Sequence, residues 1–268
     1  MATKAKKTIR ILFIADIVGC AGRKTVNEIL PNLKKGEGID FVVANGENMT
    51  TGNGMTKGTM EAILESGVNF FTAGNHIWKK PEFLDELEKK ETPVVRPANY
   101  PEDSPGKGYK ILKTDFGRLL IVSLLGREGI NAQVESPFKS IDDILEATKG
   151  KYDISLVDFH AEVTSEKVAM GYYLDGRVNV VVGTHTHVPT ADARILPKGT
   201  AYISDAGMTG IQESVLGVKT DIIIRLFTTG MPQKFEQETE GPKVFNSVMV
   251  DISTDRKVKS IVRLDRYI

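Results

Sequence analysis

Three apolar runs of strand type in this chain end on histidine, and together they hold all four of its histidines. FFTAGNH ends at His76, ISLVDFH at His160, and VNVVVGTHTH carries His185 and His187. A buried strand that stops and then presents an imidazole places it at a strand end, where open α/β sheets keep their ligand crevices. Imidazole is also the commonest neutral metal ligand and changes charge near neutral pH. A lone histidine in such a place is ordinarily a hydrogen-bonded structural residue. Four at strand ends point to a built site.

The first hundred residues repeat a strand–motif–helix unit. Ile9–Ala15 is a continuous apolar run that ends at Asp16, as expected of a strand covered on both faces. Gly19 and Gly22 loosen the backbone before a helical pattern, Arg23 to Lys34. Phe41–Ala44 is a second strand and ends in Asn45-Gly46-Glu47-Asn48; a helix over Thr56–Ser66 follows. Val68–Ala73 is a third, closed by Gly74-Asn75-His76, with Pro81 opening a helix to about Lys90. These units make a βαβαβ half.

Further on, Thr92–Asn99 reads as a short strand, and Tyr109–Thr114 and Arg118–Leu125 as a hairpin. Ser140 with Asp143 resembles a capping box opening a helix over Ile141–Thr148. Asp153–Asp158 is a strand, Thr164–Leu174 a helix, and Val178–Val182 the strand before His185. The rest reads as strands: Ala193–Leu196, Thr200–Ser204, Thr220–Phe227, Val244–Ile252 and Lys257–Asp265. The pattern predicts an α/β fold: a four-layer α/β/β/α sandwich of two packed mixed sheets flanked by helices. One domain over residues 1–268 is expected, with 1–8 a flexible tail.

Lys+Arg and Asp+Glu both number 35, so net charge gives no argument for a nucleic-acid partner. The basic start, Lys4, Lys6, Lys7 and Arg10, is short enough to be a solvated tail. No apolar run nears the ~20 residues of a membrane helix, and the start lacks a secretion signal's apolar centre. One cysteine, Cys20, excludes an intrachain disulfide and suits a reducing compartment. A soluble cytoplasmic protein is expected, with a homo-oligomer left open.

Asp16, Glu47, Asn48, Asn75, His76, His160, His185 and His187 all stand at strand ends. Carboxylates, amide oxygens and imidazoles form a mixed N/O set that suits Mn, Fe or Zn and lacks the thiolates of a cysteine-type zinc site. The set exceeds what one tetrahedral ion needs; two ions roughly 3.5–4 Å apart, sharing a carboxylate, would use it. Because residues two apart on a strand point the same way, His185 and His187 are expected to face one site.

The stretches FIADIVGCAGR, VVANGENMTTGNGMT, FTAGNHIW, VDFHAEVTSEKVAMGYYLDGRV, VVGTHTHVPTAD and ISDAGMTG, in this order, resemble the calcineurin-like metallophosphoesterases. Their variants resemble the YmdB-like bacterial branch. The usual pattern of that superfamily is DxH, GDxxD, GNHE/D, H, GHxH, and the chain departs from it three times. Ile17-Val18 replaces the first histidine ligand, Glu47 stands for the bridging aspartate, and Thr184 replaces a glycine. The resemblance implies a first ion on Asp16, Glu47, Asn48 and His187, and a second on Glu47, Asn75, His160 and His185. It implies His76 as general acid for the leaving oxygen, and attack on phosphorus by a hydroxide bridging the ions. The implied substrates are cyclic nucleotides, 2′,3′- or 3′,5′-cyclic AMP or GMP. A phosphomonoesterase and a non-catalytic nucleotide sensor are the alternatives.

Other residues carry two readings each. Asn48 is a ligand or a loop cap, and Glu162 and Glu166 are helix-start charges or supports behind the site. Trp78 stacks on a base or packs in a core or interface. Gly52–Gly54 and Gly207–Gly210 offer backbone amides to substrate. Cys20 is expected to be a small packing residue, and Tyr172 and Tyr173 to lie in the core.

Overall fold

Alternate residues of β1 (Thr8–Ile14) go to opposite sides. Ile9, Ile11 and Phe13 join one apolar cluster, Leu12 and Ile14 another. A strand buried on both faces needs cover on both, and the computed structural model, which describes residues 8–268, supplies it. β2 (Asp16–Ile17) and α1 (Gly19–Glu37) follow, then β3 (Phe41–Asn45), α2 (Lys57–Glu65) and β4 (Phe70–Thr72). Two 3₁₀ turns and α3 (Leu84–Glu88) lead to β5 (Val94–Val95), then to the hairpin β6 (Tyr109–Thr114) and β7 (Gly117–Leu125). Next come α4 (Pro137–Ala147), β8 (Ile154–His160), α5 (Thr164–Leu174), β9 (Val180–Thr184), β10 (Arg194–Ile195), β11 (Ala201–Ile203) and β12 (Met208–Ile211). The chain finishes with α6 (Thr220–Thr229), β13 (Lys243–Phe245), β14 (Ser247–Ser253), β15 (Val258–Arg263) and β16 (Arg266–Tyr267).

Two six-stranded sheets, β15-β14-β1-β3-β4-β5 and β10-β11-β9-β8-β7-β6, form the frame. Their facing sides share one core, in which Ile11, Phe13 and Val43 of the first pack with Ile121, Leu156 and Val182 of the second. Val26 and Leu30 of α1 and Met60 and Ile63 of α2 cover the first sheet's outer face. Ile141 of α4 and Met170 and Leu174 of α5 cover the second's. The expected four layers are present. A third, four-stranded sheet, β16-β13-β12-β2, has no counterpart in the sequence pattern. Asp16 leaves the first sheet here, since β2 pairs with β12 through Met208↔Asp16. Gly22 lets α1 close on that sheet, because a Cβ there would collide with the Thr209 carbonyl oxygen.

Several local expectations are corrected. Thr220–Phe227, read as a strand for its Ile222-Ile223-Ile224 run, lies in α6. Ile223 is buried while Ile224 and Phe227 are exposed, and Gly230 ends the helix in the left-handed conformation. Ser136, not Ser140, caps α4, accepting from the Lys139 N–H. Asn246 divides the expected Val244–Ile252 strand into β13 and β14, and Thr92–Asn99 shortens to Val94–Val95. Gly19 and Gly22 fall inside α1 rather than before it. Tyr172, Tyr173 and Cys20 are exposed rather than packed inside. Thr8, assigned to the tail, belongs to β1; the rest of that tail lies outside the described residues.

Candidate metal centre

Every strand that enters the site stops there and hands over its polar residue. Asp16 sits where the chain passes from β1 to β2, Glu47 and Asn48 follow β3, and Asn75 and His76 follow β4. His160 is the last residue of β8, and His185 and His187 follow β9. Asp16, Glu47, Asn48 and His160 are essentially without solvent exposure.

Glu47 is the hub. Its Oε1 lies 3.1 Å from His160 Nε2, 3.2 Å from His76 Nδ1 and 3.4 Å from Asn48 Nδ2. Its Oε2 accepts from the His76 backbone N–H at 3.0 Å. Asn48 Nδ2 also reaches Asp16 Oδ1 at 3.3 Å and His187 Nε2 at 3.2 Å. On the other side His160 Nε2 is 2.9 Å from His185 Nδ1. One donor atom from each of Glu47, His160 and His185 falls within 4.8 Å of the others. The contacts thus divide into an Asp16–Asn48–His187 group and a His160–His185 group, with Glu47 touching a member of each. Among the described residues Asn75 is not tied to the rest of the site by any hydrogen bond, and its buried Oδ1 has no partner. A buried carbonyl oxygen left unpaired is costly, so a cation there would satisfy it. Gly74 lets the loop close in, since a Cβ would collide with His160 Nε2 and Glu47 Oε2.

Three groups behind the histidines fix their ring orientation. Thr184 Oγ1 donates to Asp158 Oδ1 at 2.6 Å and so accepts from His160 Nδ1 at 2.9 Å, which turns His160 Nε2 toward Glu47. The Leu216 carbonyl accepts from His187 Nδ1 at 3.2 Å, leaving its Nε2 for the Asp16 side. Glu162 Oε2 lies 3.1 Å from His185 Nε2, leaving Nδ1 inward. Such partners set tautomer and basicity in metal-ligating histidines. His76 Nδ1 lies 2.7 Å from Asn48 Oδ1, which leaves Nε2 for other use. Ligation of Asn48 through oxygen requires a half-turn of its amide.

His185 and His187 face one site for a different reason from strand alternation. β9 has ended, and both residues take positive φ, 100° and 64°. Non-glycine residues hold that conformation only where the surroundings enforce it. Between them, Thr186 N–H and Oγ1 donate to Asp205 Oδ2 at 3.0 and 2.8 Å, and Asp205 is paired at 2.6 Å with the buried Lys167.

Burial and neighbouring charge oppose each other at three of these groups. Burial pushes Asp16 up to about 8, against the pull of His160. It would raise Glu47 too, but the His160 and His76 contacts outweigh it and hold that carboxyl well below its usual range. Burial disfavours the His160 imidazolium, yet Glu47 and Asp16 lift it to about 9. Burial, then the charge of His160, push His185 down to about 3. Two buried carboxylates ask for positive charge, and the donors around them are those of a cation site. The residues fit.

Sequence reasoning missed Asp158, Thr184 as a support, Asp205 and Lys167. Glu162 takes the supporting role, while Glu166 Oε1 accepts from Arg127 N–H at 3.0 Å instead. Gly52 is covered by Gln237. The Gly207 and Met208 amides are already used by Asp205 and Asn246.

A family model described as YmdB-like protein matches residues 12–264. A 2′,3′-cyclic-nucleotide 2′-phosphodiesterase of Bacillus subtilis is 42% identical over 260 residues, 97% of each chain. A solved structure of a Mycoplasma pneumoniae phosphatase superposes with a TM-score of 0.91 at 35% identity, covering 97% of this chain and 94% of that one. A hypothetical protein of Thermus thermophilus superposes with a TM-score of 0.90 at 39% identity, covering 97% of this chain and 99% of that one.

Proposed function

This chain belongs to the YmdB-like family of calcineurin-like metallophosphoesterases and is a phosphoric diester hydrolase, and on that premise we propose that it opens cyclic nucleotides to nucleoside monophosphates. The substrates are 2′,3′- or 3′,5′-cyclic AMP or GMP, the first class in keeping with the Bacillus relative. The observation that carries the reading is one buried carboxylate, Glu47, met at once by three partners, His160, His76 and Asn48.

Asp16, Glu47, Asn48 and His187 would hold one ion, and Glu47, Asn75, His160 and His185 the other, with Fe or Mn favoured and Zn usable. When bound, two such cations lower the pKa of a water and neutralise charge on the phosphoryl oxygens. Thr184, the Leu216 carbonyl and Glu162 keep each histidine's free nitrogen turned inward. Asn48 Oδ1 lies against His76 Nδ1; the half-turn that lets this oxygen ligate would bring Asn48 Nδ2 there as a donor instead, so His76 Nε2 carries the proton it gives to the departing sugar oxygen, which would otherwise leave as an alkoxide. A cavity of about 240 Å³ lined by Glu47, Asn48, His76, Glu162, His185 and His187 receives the phosphate.

Manganese-loaded protein is expected to hydrolyse bis-p-nitrophenyl phosphate in preference to p-nitrophenyl phosphate, and to release nucleoside monophosphate from 2′,3′-cyclic AMP. Preference for the monoester would establish a phosphatase instead. Binding of the cyclic nucleotide with no product over hours would establish a sensor.

A further inference from the structure

A second cavity of about 240 Å³ opens against the first, and the two share His187 and Leu216 in their walls. Their chemistry differs. The phosphate cavity is lined by Glu47, Glu162 and three histidines. The second is lined by Val188, Met208, Leu216, Val244, Tyr267 and neutral amides, with no carboxylate, lysine or arginine. It is therefore unsuited to a phosphate and suited to a flat, neutral group.

Val188, Leu216 and Tyr267 are 56%, 46% and 60% exposed, which leaves large apolar surface at the mouth of a polar site. Exposed apolar surface gathered at a cavity marks a binding face more readily than single scattered residues do. Tyr267, on β16, is anchored through its backbone by pairing with Val244, so its ring is presented by a sheet rather than a loop. The side-chain amide of Gln212 lines the same cavity and makes no hydrogen bond among the described residues. Asn246, also in the wall, is committed to Met208 N–H and Asp265. Gln212 alone of the two has an amide free to meet a base edge.

Leu216 joins the two cavities. It is held at φ 56°, a conformation unfavourable for leucine, and in that pose its carbonyl receives the His187 Nδ1–H. The same residue thus orients a metal-side histidine and walls the apolar cavity. Trp78, the sequence candidate for base stacking, is already packed edge-on against Tyr100, with ring centroids 5.1 Å apart, and against the core of the first sheet.

We propose that this second cavity is the nucleobase subsite, with Tyr267 as the stacking face and Gln212 as the residue that reads the base edge. The proposal rests on the cyclic-nucleotide reading of the neighbouring site. The phosphate lies beside His187 and the Glu47 cluster, the ribose passes Leu216, and the base enters between Val188 and Tyr267. Stacking on an aromatic ring tolerates every base, so Tyr267 sets affinity and Gln212 sets preference among bases.

The test compares 2′,3′-cyclic AMP with methyl ribofuranoside 2,3-cyclic phosphate, which has the same diester and no base. Manganese-loaded wild type, Tyr267→Ala, Tyr267→Phe and Gln212→Ala are assayed on both. Tyr267→Ala is expected to raise KM for the nucleotide by about tenfold, with kcat and the baseless substrate unaffected and Tyr267→Phe near wild type. Gln212→Ala is expected to alter the ratio of 2′,3′-cyclic AMP to 2′,3′-cyclic CMP turnover. If wild type hydrolyses both substrates and Tyr267→Ala leaves their KM ratio unaltered, the subsite is wrong while the phosphodiesterase reading stands. Equal losses on both substrates would also overturn the subsite, by showing a general role for the residue. If wild type hydrolyses neither, the functional reading fails and the subsite with it.

Discussion

The two large sheets bring different chemistry to the same place. The first, through the ends of β1, β3 and β4, supplies oxygen: Asp16, Glu47, Asn48 and Asn75. The second, through β8 and β9, supplies nitrogen: His160, His185 and His187. Neither set alone is a mixed N/O site of the kind the reaction needs. The two sets meet where the two sheets close on their shared core of Ile11, Phe13, Leu156 and Val182. His76 is the exception that defines the division. It is the imidazole on the oxygen side, and it contacts Asn48 and Glu47 rather than the other histidines.

Removing the residue that joins the two sides should do most harm. Glu47→Gln is expected to lower kcat/KM by on the order of a thousandfold or more, since the proposed ligand of both ions goes with it. Metal analysis should find both ions depleted; loss of only one would assign Glu47 to a single side. His76→Ala is expected to lower kcat by about 10²–10⁴-fold. Its metal content should stay near wild type, and a metal-depleted variant would place His76 among the ligands. Thr184→Val removes the acceptor for His160 Nδ1 and should weaken metal binding or activity by about 10–100-fold, seen as a higher manganese requirement. Unchanged metal dependence would mean that the second sheet's ligands need no such support. Phe13→Ala, in the core between the two sheets, should cost about 3–5 kcal/mol of stability in urea unfolding. The loaded variant's kcat should match wild type, and a parallel fall in kcat would show that the core shapes the site as well as closing it.

Much of this division is legible in the sequence, because apolar runs with polar stops report strand ends directly. Asp16, Glu47-Asn48, Asn75-His76, His160 and His185 each follow from such a run. What the sequence does not express depends on contacts across strands. Asp158 and Thr184 meet only because β8 and β9 pair in a register that sets Asp158 opposite Val182 and His160 opposite Thr184. The reach of Lys167 to Asp205 likewise spans α5 and the segment after β11. The orientation of His185 and His187 comes from positive φ, which strand periodicity does not express. The strand reading of Thr220–Phe227 fails because three consecutive isoleucines favour a strand locally, while a helix there buries Ile223 and leaves Ile224 and Phe227 exposed. Tyr267 and Gln212 carry no local signal at all, and only the third sheet brings them beside His187.

Anomalous diffraction from manganese-loaded crystals would locate the ions themselves. Two peaks roughly 3.5–4 Å apart are expected, one against Asp16, Asn48 and His187, the other against Asn75, His160 and His185, with Glu47 reaching both. A single peak, or two peaks that Glu47 does not join, would contradict the assignment of oxygen and nitrogen ligands from two sheets to one shared centre.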